Sequence, residues 1–144
     1  MYIFLIMAVL GGALATVTFF RNKKRENNPK NIEYMKNTEE ALRGTLENEV
    51  VVEKCQMTAS SALFVTDKNL YVHKKGAFTK VAFEDIKKIK GVDHASNKTK
   101  NPDLCFVLYV YTKDGKKHSY YSNYSNNFGA FVRAFCEKSG CVLR

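Results

Sequence analysis

The sequence is poor in the groups that metal, redox and covalent chemistry require. Its 144 residues include only three histidines, and His73, His94 and His118 are scattered, none at metal-ligand spacing from a cysteine or carboxylate. The Asp93-His94 pair comes nearest to a motif, and adjacent loop residues of this kind are ordinarily solvated. A glycine-rich phosphate loop, a nucleophile elbow and an HExxH helix are all missing. Cys55, Cys105, Cys136 and Cys141 form no CxxC pair, which argues against a zinc ribbon. A chain this long and apolar does not need a disulfide framework, so reduced thiols are expected. With two prolines and 45% hydrophobic residues, the chain is no disordered tail, and its length excludes a large multidomain enzyme. No metal, no cofactor and no catalytic residue is implied, and the chain reads as a binding protein rather than an enzyme.

What the sequence does contain begins with residues 1–20, MYIFLIMAVLGGALATVTFF, which carry no charged side chain. Twenty helical residues span roughly 30 Å, the thickness of a hydrocarbon core. Ten of them are Leu, Ile, Phe or Val, and each favours insertion by about 0.3–0.6 kcal/mol. A single transmembrane helix is expected. A cleaved secretory signal is the alternative, with Ala13-Leu14-Ala15 as a small-residue site. The order of charges favours the uncleaved anchor: no basic side chain precedes the apolar run, and Arg21, Lys23, Lys24 and Arg25 follow it. These four flanking cations would hold the C-terminal side in the cytoplasm, against the inner membrane. Ala8, Gly12 and Thr16 recur every four residues as a candidate helix-packing strip, or merely reflect how common small residues are in membrane helices.

Residues 21–48 read as a polar juxtamembrane connector. Within it Ile32, Met35, Leu42 and Leu46 fall at helical spacing, interrupted by Glu39 and ended near Gly44 or Asn48. This short helix is a spacer or a partner-binding element, with the spacer favoured. From residue 49 to residue 144 the pattern changes to short strands, at about 50–56, 62–66, 70–74, 79–83, 86–92, 104–112 and 116–122. Asp114-Gly115 is the strongest hairpin signal. In the sixth strand Leu104, Phe106, Leu108 and Val110 share one face and Cys105, Val107, Tyr109 and Tyr111 the other, predicting a strand buried on one side and half-covered on the other. A helix is expected over about 125–138, capped by Ser125 or Asn126 and stopped by Gly140. Its stripe of Phe128, Phe131, Val132 and Phe135 must be covered by the sheet. The fold class is therefore mainly β with one C-terminal helix, a seven-stranded bent sheet or barrel plugged by that helix.

The runs Ala62-Leu63-Phe64-Val65-Thr66-Asp67-Lys68-Asn69-Leu70-Tyr71-Val72, Val81-Ala82-Phe83-Glu84-Asp85-Ile86-Lys87-Lys88-Ile89 and Tyr111-Thr112-Lys113-Asp114-Gly115-Lys116-Lys117 together resemble the bacterial pleckstrin-homology-like and GRAM-like domains. The resemblance covers roughly residues 49–140. It implies a barrel with a terminal helix and specifies no activity. Lys68 keeps the basic residue that follows the Thr-Asp pair in such domains, whereas Asn69 stands where they carry arginine.

Residues 61–144 hold 15 basic and 7 acidic side chains, a balance of +8 within the whole chain's +9. The lysines gather at turns, and Lys74, Lys75, Lys80, Lys113, Lys116 and Lys117 are the candidate contacts for anionic lipid, each contributing roughly 1 kcal/mol near a charged surface. The bland alternative is a solvated, solubilising surface. Nucleic acid is disfavoured, because lysine without clustered arginine is a weak signal for it. Tyr120, Tyr121 and Tyr124 form a further candidate patch. Three functional readings follow: a membrane-anchored module that engages a partner protein, a sensor of an anionic head group or small ligand, and an accessory subunit docking through Ala8, Gly12 and Thr16.

Overall fold

The computed structural model describes residues 28–93, 106–124 and 127–141. The expected anchor at 1–20, the flanking cations Arg21, Lys23, Lys24 and Arg25, the strip of Ala8, Gly12 and Thr16, and the cap candidates Ser125 and Asn126 lie outside the described residues. Among the described residues no helix is long and apolar enough to cross a membrane.

The chain is mainly β, with two sheets and a C-terminal helix. Helix α1 (Pro29–Arg43) leads into β1 (Val51–Thr58), β2 (Ser61–Thr66), β3 (Asn69–Lys74) and β4 (Ala77–Ala82). These four strands form an antiparallel meander in that order. A 3-10 turn, Phe83–Asp85, leads to β5 (Ile86–Asp93), β6 (Phe106–Thr112) and β7 (Lys117–Ser122), which form a second antiparallel meander, followed by α2 (Phe128–Ser139). Neither sheet closes on itself. Between β4 and β5 the 3-10 turn interrupts the ladder, so the expected single bent sheet is realised as two packed layers. They meet at the β1–β7 corner, where the Asn123 N–H donates to Met57 O (2.9 Å) and Ser122 Oγ lies 3.3 Å from Met57 O.

Alternation places the core between the layers. Leu63, Val65, Leu70, Val72 and Val81 face inward from the first sheet, and Ile86, Ile89, Phe106, Leu108 and Val110 from the second. Phe131, Val132 and Phe135 of α2 complete this core, each aromatic contributing about 1.5–3 kcal/mol by leaving water. Phe106 and Phe128 stack with centroids 3.7 Å apart, and Phe83 stacks on Phe135 at 5.8 Å. Gly140 stops α2 in the left-handed region at φ +71°, as its sequence position predicts. The start of α2 differs from expectation. Its N-cap is Asn127, whose side chain makes no cap bond and instead donates to Glu53 Oε1 (3.0 Å) and Lys54 O (2.8 Å), tying the helix entry to β1.

Two turns owe their shape to single side chains. In the β2–β3 turn, Thr66 Oγ1 accepts from the Lys68 and Asn69 N–H groups and donates to Glu49 Oε1 at 2.9 Å. Glu49 also accepts from Asn69 Nδ2 (2.5 Å) and Tyr71 Oη (2.8 Å). Partial burial works against ionisation of Glu49, and these donors, with Lys68 nearby, outweigh it and hold its carboxyl below the usual range. The β3–β4 hairpin turns on Lys75 (φ +53°) and Gly76 (φ +76°), the pair of left-handed residues that a two-residue loop requires.

Helix α1 is not a spacer. It lies on the outer side of the first sheet, where Leu42 is fully buried against Ala62 and Phe64, with Tyr34, Met35, Leu46 and Phe78 around them. Its buried line is Asn31, Thr38 and Leu42, and Ile32, expected on that line, is 56% exposed. The interrupting Glu39 is accommodated at the helix edge by Lys54 Nζ (2.6 Å) and Arg43 Nη2 (3.0 Å). Near the helix start, Asn31 Oδ1 accepts from Gln56 Nε2 (3.3 Å), and Tyr34 Oη lies 2.6 Å from His73 Nδ1. His73 also packs on Phe78, with centroids 4.7 Å apart.

Replacing Leu42 with alanine is expected to cost about 2–4 kcal/mol in denaturant unfolding, because it opens a cavity over Ala62 and Phe64; an unchanged midpoint would show that the helix stands clear of the fold. Burial holds His73 below its ordinary 6.5, so the unfolded chain takes up the proton first. The stability present above pH 6.5 should therefore decline as the pH falls through the lowered folded value. A His73→Gln variant is expected to show a flatter pH profile of melting temperature in that window, and equal slopes for the two proteins would contradict the assignment.

Candidate functional site

The six lysines singled out in the sequence separate into three groups. The first comes from two hairpins at one end of the first sheet. The β1–β2 turn brings Thr58, Ser60 and Ser61 together, with Thr58 Oγ1 and Ser61 Oγ 2.6 Å apart. The β3–β4 turn places Lys74 and Lys75 beside them, both exposed. Across from these turns, Ser119, Tyr120 and Tyr121 of β7 complete a recess of about 330 Å³ with Met57 and Val72 at its base. Its described lining contains hydroxyls, two ammonium groups and no carboxylate.

At the opposite end of β7 a second recess of about 360 Å³ holds Lys80 of β4 with Lys113 and Lys116 of the β6–β7 turn. Here the charge is mixed, since Asp85 and Asp114 line it as well as His118. Asp114 organises the turn: Thr112 Oγ1 donates to its carboxylate, the Lys116 N–H donates at 3.2 Å, and Lys116 Nζ approaches to 3.8 Å. The hydroxyl and amide donors hold the Asp114 carboxyl below its ordinary value. Gly115 at φ +86° closes the loop. A wider depression of about 620 Å³ lies at the end of α2, where Lys87, Lys88 and Lys113 are accompanied by Glu84 and Cys141.

Lys117 joins neither recess. It extends over the outer face of the second sheet, with Nζ 4.3 Å from the Tyr109 ring centroid and 5.8 Å from that of Tyr111. Lys88 Nζ sits 4.5 Å from the Tyr111 centroid from the opposite strand. The Tyr109 and Tyr111 rings are half-buried platforms beneath these lysines, on the face expected to be half-covered. Tyr71 is satisfied by Glu49, and burial and that carboxylate push it up to about 12.

The expected tyrosine patch is not one surface. Tyr124 is buried, Tyr120 turns inward and is pushed up to about 12 by burial, and Tyr121 alone is exposed, at 55%. Among the cysteines, Cys55 is buried and pushed up to about 12, mainly by desolvation with Glu53 adding to it, and Cys136 is raised likewise by burial and by Cys141. Buried thiols of this kind are poor nucleophiles. No protein-family model matches the chain, and no curated protein matches its sequence.

Because Lys74, Lys75, Lys80 and Lys116 are exposed and remote from the core, changing each to glutamine should alter unfolding free energy by no more than about 0.5 kcal/mol. A cooperative unfolding curve displaced well beyond that would place these side chains in the packing instead of at the surface.

Proposed function

We propose that the chain is a non-catalytic binding module of the pleckstrin-homology-like kind, held at the inner face of a membrane by residues 1–20, whose hydroxyl- and lysine-lined recess receives an anionic head group. The supporting observation is where the tether enters. Asn31, three residues into the described chain, is held by Gln56, whose Nε2 also donates to Thr58 O at 3.0 Å. Tyr34 is held by His73, the neighbour of Lys74. The start of α1 and the recess therefore share one end of the first sheet. A chain emerging from the bilayer at residue 20 would have eight residues before Pro29, about 27 Å at full extension, which supports an orientation with this end toward the lipid.

The chemistry of the lining agrees with that orientation. Lysine ammonium groups and Ser/Thr hydroxyls offer donors to a phosphate or carboxylate, and no described carboxylate in the lining competes for them. The recess across β7 is less suited, because Asp85 and Asp114 offset its three lysines. The four-plus-three antiparallel meander with a terminal helix supports the pleckstrin-homology-like reading, as does the structural role of Thr66 and Asp114 in the turns that carry the resemblance.

The test uses the full chain in neutral phosphatidylcholine nanodiscs, titrated with inositol hexakisphosphate as a soluble polyanion and, separately, with phosphatidylserine mixed into the disc. Salt-sensitive binding is expected. Changing Lys74 and Lys75 to glutamine should weaken it by about thirtyfold, at roughly 1 kcal/mol per lysine. The Lys113→Gln/Lys116→Gln pair should change it little. Equal losses from both pairs, or no binding to either probe, would overturn the assignment.

A further inference from the structure

The outer face of the second sheet carries charge that the recess does not use. The register places Lys88, Tyr111 and Lys117 in one row across the three strands, and Lys90, Tyr109 and Ser119 in the next. The third row, Val92, Val107 and Tyr121, ends at the rim of the anion recess. Three lysines thus frame two tyrosines, and no described carboxylate belongs to these rows.

We propose that this face is a docking surface for an acidic segment of a partner protein. Charge complementarity is the first argument: lysines from both edge strands share these rows with the central strand's tyrosines, and no described carboxylate stands in the rows. Preorganisation is the second. Lys88 and Lys117 are held over the tyrosine rings at 4.5 and 4.3 Å, so less side-chain freedom is lost when they meet a carboxylate than for lysines extended into solvent.

Two other anionic surfaces fit less well. The lysine ammonium groups occupy the ring faces on which the bases of a single-stranded nucleic acid would stack. A bilayer facing the recess, which is the orientation taken from the proposed function, meets the Tyr121 end of the face. The Lys88–Tyr111–Lys117 row lies four residues farther along β6, roughly 14 Å away. The face then runs up the side of the domain, open to a soluble or neighbouring protein.

The experiment uses the full chain in neutral phosphatidylcholine nanodiscs and a fluorescein-labelled oligoglutamate peptide, read by anisotropy. Replacing Lys88, Lys90 and Lys117 with glutamine is expected to weaken binding by about tenfold. The matched triple Lys80→Gln, Lys113→Gln and Lys116→Gln removes the same charge elsewhere and should leave the peptide affinity within about twofold. Equal losses from the two triples would overturn the proposal in favour of undirected attraction to a basic chain. Tighter capture of a single-stranded oligonucleotide, or loss of phosphatidylserine binding in the Lys88/Lys90/Lys117 triple, would overturn it in favour of nucleic acid or lipid. Failure of the recess would appear in the inositol hexakisphosphate titration, which this triple should not affect, so the two assignments fail separately.

Discussion

Every residue of β2, from Ser61 to Thr66, is buried. A strand in an open antiparallel meander normally shows one face to water, and this one shows neither, so both of its faces require a cover. On the inner side Leu63 and Val65 meet the second sheet and α2, and on the outer side Ala62 and Phe64 meet α1. The arrangement of the domain follows from that double demand. Because α1 lies across the outer side, its N-terminal end is fixed beside the β1–β2 and β3–β4 hairpins.

Much of this was legible in the residues. Short strand-like runs separated by turn residues located all seven strands. The stripe of Phe131, Val132 and Phe135 located the last helix, which lies on the sheet as its pattern demanded. The role of α1 was not legible. Of the apolar positions at helical spacing, Leu42, Met35 and Leu46 do pack on the sheet and Ile32 is exposed, while the other buried residues, Asn31 and Thr38, are polar and carry no weight in a periodicity argument. The continuous apolar run Ala62 to Val65 was the available signal that β2 needed a second cover.

The candidate site was legible in composition and opaque in geometry. Lysines at turns can be counted from the sequence, but which turns become neighbours depends on how two separate ladders cross. Crossing sends Lys74 and Lys75 to a hydroxyl-rich end, Lys80, Lys113 and Lys116 to a recess containing two aspartates, and Lys117 to a different surface altogether. Glu49 illustrates the opposite limit. It lies before the first strand with no motif around it, yet it gathers Thr66, Asn69 and Tyr71 into one turn, because only folding brings residue 49 to residues seventeen to twenty-two positions later.

The attachment of α1 also sets how the domain bears load. Tension drawn through the chain ahead of Pro29 reaches Asn31–Gln56 first, then Tyr34–His73, and only afterwards Leu42. These contacts are arranged in series along the helix, so pulling peels it from one end instead of shearing all of them at once. Lifting the helix from its N-terminal end would part both polar pairs before Phe64 loses its cover.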